Sequence, residues 1–201
     1  MPLKLPTNFT YIYVSSLEKY LYEDLFYAPR KEEIDNCKSS KSRNEKTAVW
    51  NLFEKILKEK LGITSLEIKP YKNENGKWIS EFLHFSFSHS KDLIMVGISS
   101  NPIGVDIQEI KPFKNAKTLA KLALNDEERA NFDEKEFIEI WSKKEAVFKK
   151  IDLPNFVGNK IIIDKNTKCL FNNYNYNCST YVAVMSTNED SNVEFINEIS
   201  K

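Results

Sequence analysis

Apolar positions along the chain recur at two periods, and the change from one to the other marks its organisation. Leu17, Tyr20, Leu21 and Leu25 are spaced for one face of an amphipathic helix over Leu17–Leu25. A polar, basic stretch from Arg30 to Arg43 follows. Val49, Trp50, Phe53, Ile56, Leu57 and Leu61 then share one face of a long helix over Asn44–Leu61, which Gly62 ends at the C′ position. Asn73-Glu-Asn-Gly76-Lys77 reads as a turn. From Phe82 the period drops to two. Leu83, Phe85 and Phe87 alternate with His84, Ser86 and Ser88, which predicts a half-buried strand. Leu93–Ile98 is a second strand, and the turn Asn101-Pro-Ile-Gly104 delivers a third segment, Val105-Asp106-Ile107-Gln108. In extended backbone Asp106 and Gln108 share one face while Val105 and Ile107 take the other.

Further on, Asn125-Asp126-Glu127-Glu128 predicts the start of a short helix capped by Asn125. Asp133–Ile151 reads as a long helix whose apolar stripe is Phe137, Ile140, Trp141, Val147, Phe148 and Ile151. Two strands, Lys160–Ile163 and Thr180–Met185, are expected around a polar, Asn-rich connection from Asn172 to Asn177. No repeat is visible. A boundary, if present, falls near Asn101–Gly104, dividing the chain into halves of residues 1–103 and 104–201.

The 201 residues suffice for a proper core, and 29 basic side chains cancel 29 acidic ones. No global field therefore points to nucleic acid or an anionic membrane, and recognition of phosphate must come from a local cluster. No apolar run of about eighteen residues suggests a span, and Met-Pro-Leu-Lys-Leu-Pro lacks the apolar region of a signal peptide. Cys37, Cys169 and Cys178 are odd in number and lack metal-ligand spacing. Small buried thiols in a reduced, cytoplasmic protein are the expectation.

Two segments carry candidate chemistry. Gly104-Val-Asp106-Ile-Gln108 places a carboxylate on a strand, and Trp141-Ser-Lys-Lys144-Glu145-Ala-Val-Phe-Lys149 places another on a helix with lysines beside it. One or two carboxylates are what Mg²⁺ takes from a protein while it keeps water and phosphate oxygens; lysine offers the same phosphates a point charge. Lys144 falls in the middle of the apolar stripe, where its head must either reach solvent or find an anion. Glu145 and Lys149 are spaced as a helical i,i+4 pair. Phe85-Ser-Phe-Ser88-His89-Ser90 adds a hydroxyl and an imidazole at the end of a buried strand. The chain has neither a Gly-x-x-x-x-Gly-Lys loop nor a Gly-x-Ser-x-Gly elbow, which counts against ordinary triphosphatase and esterase readings.

Phe85–Ser90, Pro102–Ile107 and Trp141–Lys150, in that order and at this spacing, resemble the three motifs of the 4′-phosphopantetheinyl transferases of the surfactin-synthetase-activating type. Gly76-Lys77 is similar to a Gly-Lys-Pro that precedes the first motif in many members, with Trp78 in place of proline. The resemblance implies an α+β monomer of two similar halves related by pseudo-twofold symmetry, each an antiparallel sheet packed with helices, with coenzyme A in the cleft between them. It implies Mg²⁺-dependent transfer (Mn²⁺ being an alternative) of the phosphopantetheine arm to a serine of an acyl or peptidyl carrier protein, with release of 3′,5′-ADP.

On that resemblance Asp106 and Glu145 hold the metal, and Lys149 either stabilises charge on the transferred phosphate or protonates the departing one. Ser88, His89 and Lys144 would contact coenzyme A phosphates, His89 the 3′-phosphate. Arg30, Lys31, Lys46 and Lys77 are looser candidates for the nucleotide end. Gln108 stands where many members carry glutamate, so it is a neutral metal ligand or the holder of a coordinated water. Glu128, with Glu127 as the alternative register, is similar to an acidic residue that assists deprotonation of the serine. Two other readings remain: a non-catalytic relative that binds coenzyme A or a carrier, and a hydrolase of the coenzyme A pyrophosphate.

Overall fold

A computed structural model describes residues 3–22, 26–111, 116–130, 133–163, 167–187 and 192–199. Its order is β1 (Phe9–Ser16), α1 (Ala28–Asp35), α2 (Ser40–Ile56), α3 (Ser65–Ile68), β2 (Tyr71–Lys72), β3 (Trp78–Ile79) and β4 (His84–Ser90). There follow β5 (Leu93–Ser99), β6 (Ile103–Glu109), α4 (Ala116–Ala123), α5 (Asp126–Ala130), α6 (Glu134–Ile151), β7 (Cys169–Tyr176), β8 (Ser179–Thr187) and β9 (Asn192–Asn197). The fold is mixed α+β, with largely antiparallel sheets and helices, as the sequence predicts.

The first sheet has the order β4-β5-β1-β9 and the second β6-β8-β7; β2 and β3 form a small hairpin. All pairs are antiparallel except β1 with β9. Alternation sorts the side chains into layers. Phe85, Ile94, Val96 and Ile98 pack against Trp50, Phe53 and Ile56 of α2. From the other face of the same sheet, Ile12, Val14, Leu93 and Met95 meet Val105, Ile107, Ala183 and Met185 of the second sheet. The far face of that sheet places Val182 and Val184 against Phe137, Ile138 and Ala146 of α6. The order α2, sheet, sheet, α6 explains why β5 is apolar throughout: both of its faces are covered.

Several expectations change. Within Leu17–Leu25 there is one 3₁₀ turn, Glu18–Tyr20, and residues 23–25 lie outside the described residues. The basic stretch holds most of α1, and α2 begins at Ser40, where Ser39 caps it; the last apolar residues of the expected helix form a wider π turn, Leu57–Leu61, before Gly62 at φ 66°. Lys160–Ile163 is not a strand; Gly158–Lys160 is a 3₁₀ turn. The Asn-rich segment is itself most of β7, turning into β8 through Asn177 and Cys178 at φ 46° and 59°. β9 has no counterpart in the sequence reading. Its residues join β1 in parallel, and Glu198 just beyond accepts from Lys55 and Lys19. The three cysteines are free, but Cys178 is exposed, so it is no core thiol. No helix among the described residues is long and apolar enough to cross a membrane.

One contact sets the height of α6 above the second sheet. A Cβ on Gly104 would lie 1.8 Å from the Ala146 carbonyl oxygen and 2.6 Å from the Lys150 nitrogen, both backbone atoms. Only glycine lets strand and helix approach so closely. Gly104→Ala should therefore lower stability by about 3 kcal/mol or more, the upper range for overpacking, because rigid backbone must move. A thermal melt of the variant that matches the parent would refute this.

Candidate active site

Strand β4 lies beside β6, but the two are joined by side chains. Ser86, Ser88 and Ser90, each two residues from the last, accept from the backbone N–H groups of Val105, Ile107 and Glu109 at 3.1, 3.2 and 2.9 Å. The hydroxyl face expected to be solvated is therefore buried; Ser86 and Ser88 are both under 10% exposed. A run of serines at period two, opposite an apolar face, is the signal from which this seam is readable.

Asp106 sits within that seam at 1% exposure. Its Oδ1 accepts from the Ser88 hydroxyl at 2.9 Å and from Lys149 Nζ at 2.9 Å. Lys149 also donates to Ser88 Oγ and to the Val105 carbonyl, which engages all three of its protons. Lys149 thus turns from its helical neighbour Glu145 to the strand, and the expected i,i+4 ion pair is absent. Glu145 has no hydrogen bond or ion pair among the described residues. Its carboxyl is pushed above the usual range by burial, with Lys149 pulling it down and Asp106 adding repulsion. Asp106 Oδ2 is buried and has no hydrogen-bond partner.

These observations fit a divalent cation. Two nearby carboxylates, one repelled by the other and one with an oxygen in want of a partner, would both gain from a cation between them. The described residues contain no cluster of three or more His, Cys, Asp or Glu suited to a metal. The two carboxylates are oxygen donors, of which a hard cation such as Mg²⁺ takes one or two from a protein. Gln108 shares the face of Asp106 by alternation and is half-buried, with no hydrogen bond from its amide among the described residues.

The remaining predicted residues divide into groups. His89 is partly exposed, with Nδ1 3.4 Å from Glu45. Burial lowers its pKa, Glu45 opposes that shift, and Lys149 adds to it. Lys144 is fully buried and donates to the carbonyls of Ala123 and Gly158 at 3.0 and 2.9 Å and to Glu128 Oε2 at 2.6 Å. It has found an anion and needs no phosphate. Glu128 also closes a capping box, accepting from the Asn125 N–H while Asn125 Oδ1 accepts from its own. Glu127, the alternative register, lies on the exposed part of α5.

Arg30 and Lys46 meet at a carboxylate that sequence reasoning missed. Glu33 accepts from Arg30 at 2.6 Å, Lys46 at 2.8 Å and Trp78 Nε1 at 2.8 Å, and Lys72 is 3.0 Å away. Arg30, nearly buried, also lies over the rings of Trp50 and Trp78. Lys31 is at the surface with Asp35. Lys77 donates to the Lys149 carbonyl and lies 3.8 Å from Asp152; burial lowers its pKa, against the pull of Asp152. The structure therefore gathers Ser88, Asp106, Glu145 and Lys149, with His89 and Lys77 at the edges, and keeps Arg30, Lys31, Lys46, Lys144 and Glu128 with other partners.

By sequence, this chain is similar to 4′-phosphopantetheinyl transferases. The 4′-phosphopantetheinyl transferase superfamily model matches residues 102–177, which span β6, α6 and β7. The 4′-phosphopantetheinyl transferase gsp of Aneurinibacillus migulanus is 32% identical over 123 residues, 57% of this chain and 52% of that protein. The 4′-phosphopantetheinyl transferase psf-1 of Bacillus pumilus is 31% identical over 109 residues, 49% and 46% of the two chains. The resemblance read from the sequence is borne out. This chain spans about half the length of the curated relatives it matches.

Two predictions separate structural from functional charges. Burial alone would raise the Glu33 pKa, but hydrogen bonds from Lys46 and Lys72, the Arg30 charge and Trp78 hold it at about 2, against 4.5 for the free group. Because the folded value is the lower one, its stabilisation is full above 4.5 and is lost as pH falls toward 2. Glu33→Gln should cost on the order of 3 kcal/mol at neutral pH, and urea unfolding should show that deficit shrinking through the acid window. Lys144→Ala, which leaves two carbonyls and the half-buried Glu128 without their cation, should cost about 3 kcal/mol by the same measurement; a cost below about 1 kcal/mol would mean that the Lys144–Glu128 pair adds little to stability.

Proposed function

We propose that the chain transfers the 4′-phosphopantetheine arm of coenzyme A to a serine of an acyl or peptidyl carrier protein, with Mg²⁺, or Mn²⁺ in its place, as cofactor. The observation that carries this reading is the buried Asp106, held on one oxygen by Ser88 and Lys149 and left without a partner on the other, beside a Glu145 that has no ion pair or hydrogen bond among the described residues. The superfamily match over 102–177 and the two transferase relatives support it.

In this reading Asp106 and Glu145 hold the metal, and Gln108 contributes a neutral amide at its border. Bound there, the metal supplies charge neutralisation for the pyrophosphate. The serine oxygen forms a bond to the phosphorus that bears the pantetheine arm, the bond from that phosphorus to the ADP oxygen breaks, and 3′,5′-ADP leaves with the electron pair. Positioning and neutralisation, more than covalent participation, make such a step fast. Lys149 brings a cation: its ammonium, held by Ser88, Val105 and Asp106, would stabilise charge on the transferred phosphate or protonate the departing one.

Lys77 and His89 are placed at the nucleotide end, with Ser88 ordering Asp106 as well as facing phosphate. Arg30, Lys31 and Lys46 would reach the nucleotide only by leaving Glu33 and Asp35. Glu128, tied to Lys144 and Asn125, supports α5 and α6 better than it serves as a base; the serine proton passes to solvent. We place the protein in the cytoplasm as a monomer, with residues 1–103 and 104–201 as two similar halves about a pseudo-twofold axis and coenzyme A in the cleft between them.

The test is mass spectrometry of a carrier protein incubated with coenzyme A, Mg²⁺ and the purified chain. A phosphopantetheine mass gain on serine is expected. Asp106→Ala and Glu145→Ala should each reduce the rate on the order of a thousandfold, and Gln108→Ala should cost about 1 kcal/mol, the scale of one neutral hydrogen bond. Free phosphopantetheine without carrier modification would point to pyrophosphate hydrolysis. Coenzyme A binding without either product would point to a non-catalytic relative.

A further inference from the structure

The last turn of a helix leaves its carbonyls without helical partners and is where a helix frays. In α6 that turn carries Lys149. It ends at Asp152, whose N–H donates to Phe148 O at 3.0 Å while its backbone adopts the left-handed region at φ 56°. That conformation favours glycine and strains an aspartate. The aspartate side chain is not idle. Its Oδ2 accepts from Asn73 Nδ2 at 2.5 Å, its carbonyl accepts from Asn75 Nδ2 at 3.1 Å, and Lys77 lies 3.8 Å from Oδ1. Lys77 also donates to the carbonyl of Lys149 itself.

All of these donors come from one rigid turn between β2 and β3. Asn73 N–H donates to Lys77 O at 3.0 Å, and Gly76, at φ 74°, returns its N–H to Asn73 O at 2.9 Å. Asn73 Oδ1 meanwhile accepts from the N–H groups of Asn75 and Lys77 at 3.1 and 3.0 Å. A single asparagine side chain thus closes the turn with its oxygen and reaches the helix end with its nitrogen, across 79 residues of sequence.

We infer that Asn73 and Asp152 form a clasp that positions Lys149 for transfer, Asn73 from the β2–β3 turn and Asp152 from the end of α6. The clasp rests on the transferase reading given above. Without it the last turn of α6 is free to fray, and the Lys149 ammonium loses its fixed approach to Asp106 and Ser88. Neither clasp residue touches the reacting atoms; both act through the backbone of residues 149–152. The aspartate contributes through its side chain, since its backbone conformation would be easier for glycine.

A polarity swap tests the clasp. Asn73→Asp keeps an oxygen to close the turn but sets two carboxylates against each other; kcat should fall about tenfold with the KM for coenzyme A nearly unchanged, the mark of lost positioning. Asp152→Asn alone should stay near wild type, because its amide oxygen still accepts from Asn73. The double variant Asn73→Asp/Asp152→Asn restores one donor and one acceptor in reversed order, and should recover kcat to within about threefold of wild type. Asp152→Gly should lose kcat like Asn73→Asp while melting no lower than wild type, because the strain is relieved. An active wild type whose Asn73→Asp variant keeps full kcat, or whose swap fails to recover it, overturns the clasp. A wild type without transfer overturns the transferase reading instead; the clasp is then judged on urea unfolding of the wild type, Asn73→Asp, Asp152→Asn and the double variant, where absence of coupling between positions 73 and 152 refutes it.

Discussion

The approach of α6 to β6 at Gly104 is the constraint on which the site depends. Asp106 is two residues along the strand from Gly104, and Glu145 and Lys149 flank Ala146 on the helix. With backbone atoms of Ala146 and Lys150 in the space where a side chain would stand, the helix is low enough for Lys149 to reach Asp106 at 2.9 Å. Raising the helix by the thickness of a methyl group would lengthen that contact beyond hydrogen-bonding range. Glycine at 104 is thus a packing residue whose effect is electrostatic.

Two lysines on α6 show what the surroundings do with the same side chain. Lys144 is wholly enclosed, and its three protons are taken by two carbonyls and Glu128. A charge so buried is tolerable only because every donor is engaged, and it is correspondingly fixed. Lys149 also engages three acceptors, but it is partly exposed and two of its acceptors are the hydroxyl and carboxylate of the site. Solvent lowers the cost of exchanging those partners for a phosphate. The first lysine ties α4, α5 and α6 together; the second is available to a ligand. Spacing along the helix put Lys144 in the apolar stripe but could not say which acceptors each lysine would find.

The legible parts of the fold were those where burial imposes a period. The helix over Glu134–Ile151 follows its apolar stripe, strands β4 and β6 their alternation, and β5 its continuous apolar run. β7 did not, since Leu170, Phe171, Asn172 and Asn173 are all exposed and its strand character comes from pairing with β8, which is buried from Tyr181 onward. β9 is short, with Asn at both ends, and becomes a strand only because β1 offers an edge from the opposite end of the chain. The carboxylates and Lys149 were legible because their residue types are unusual in a half-apolar context. Glu33 was not: nothing in a helix rich in charge singles out the one acid that Arg30, Lys46 and Trp78 converge on. Asp152 was hidden for another reason, since its role follows from a backbone angle that sequence alone does not fix.

The seam between β4 and β6 joins these points. Two strand edges brought side by side would ordinarily pair through backbone groups or be covered. Here three serine hydroxyls take the place of carbonyls, accepting from alternate N–H groups of β6. A hydroxyl, unlike a carbonyl, has a proton to give, and Ser88 gives its own to Asp106. One oxygen therefore holds the strand register, orders the carboxylate and faces Lys149. The register of the two sheets and the geometry of the charged site are set by the same atom, so the site cannot shift without the seam, and a threonine or alanine at 88 would disturb both at once.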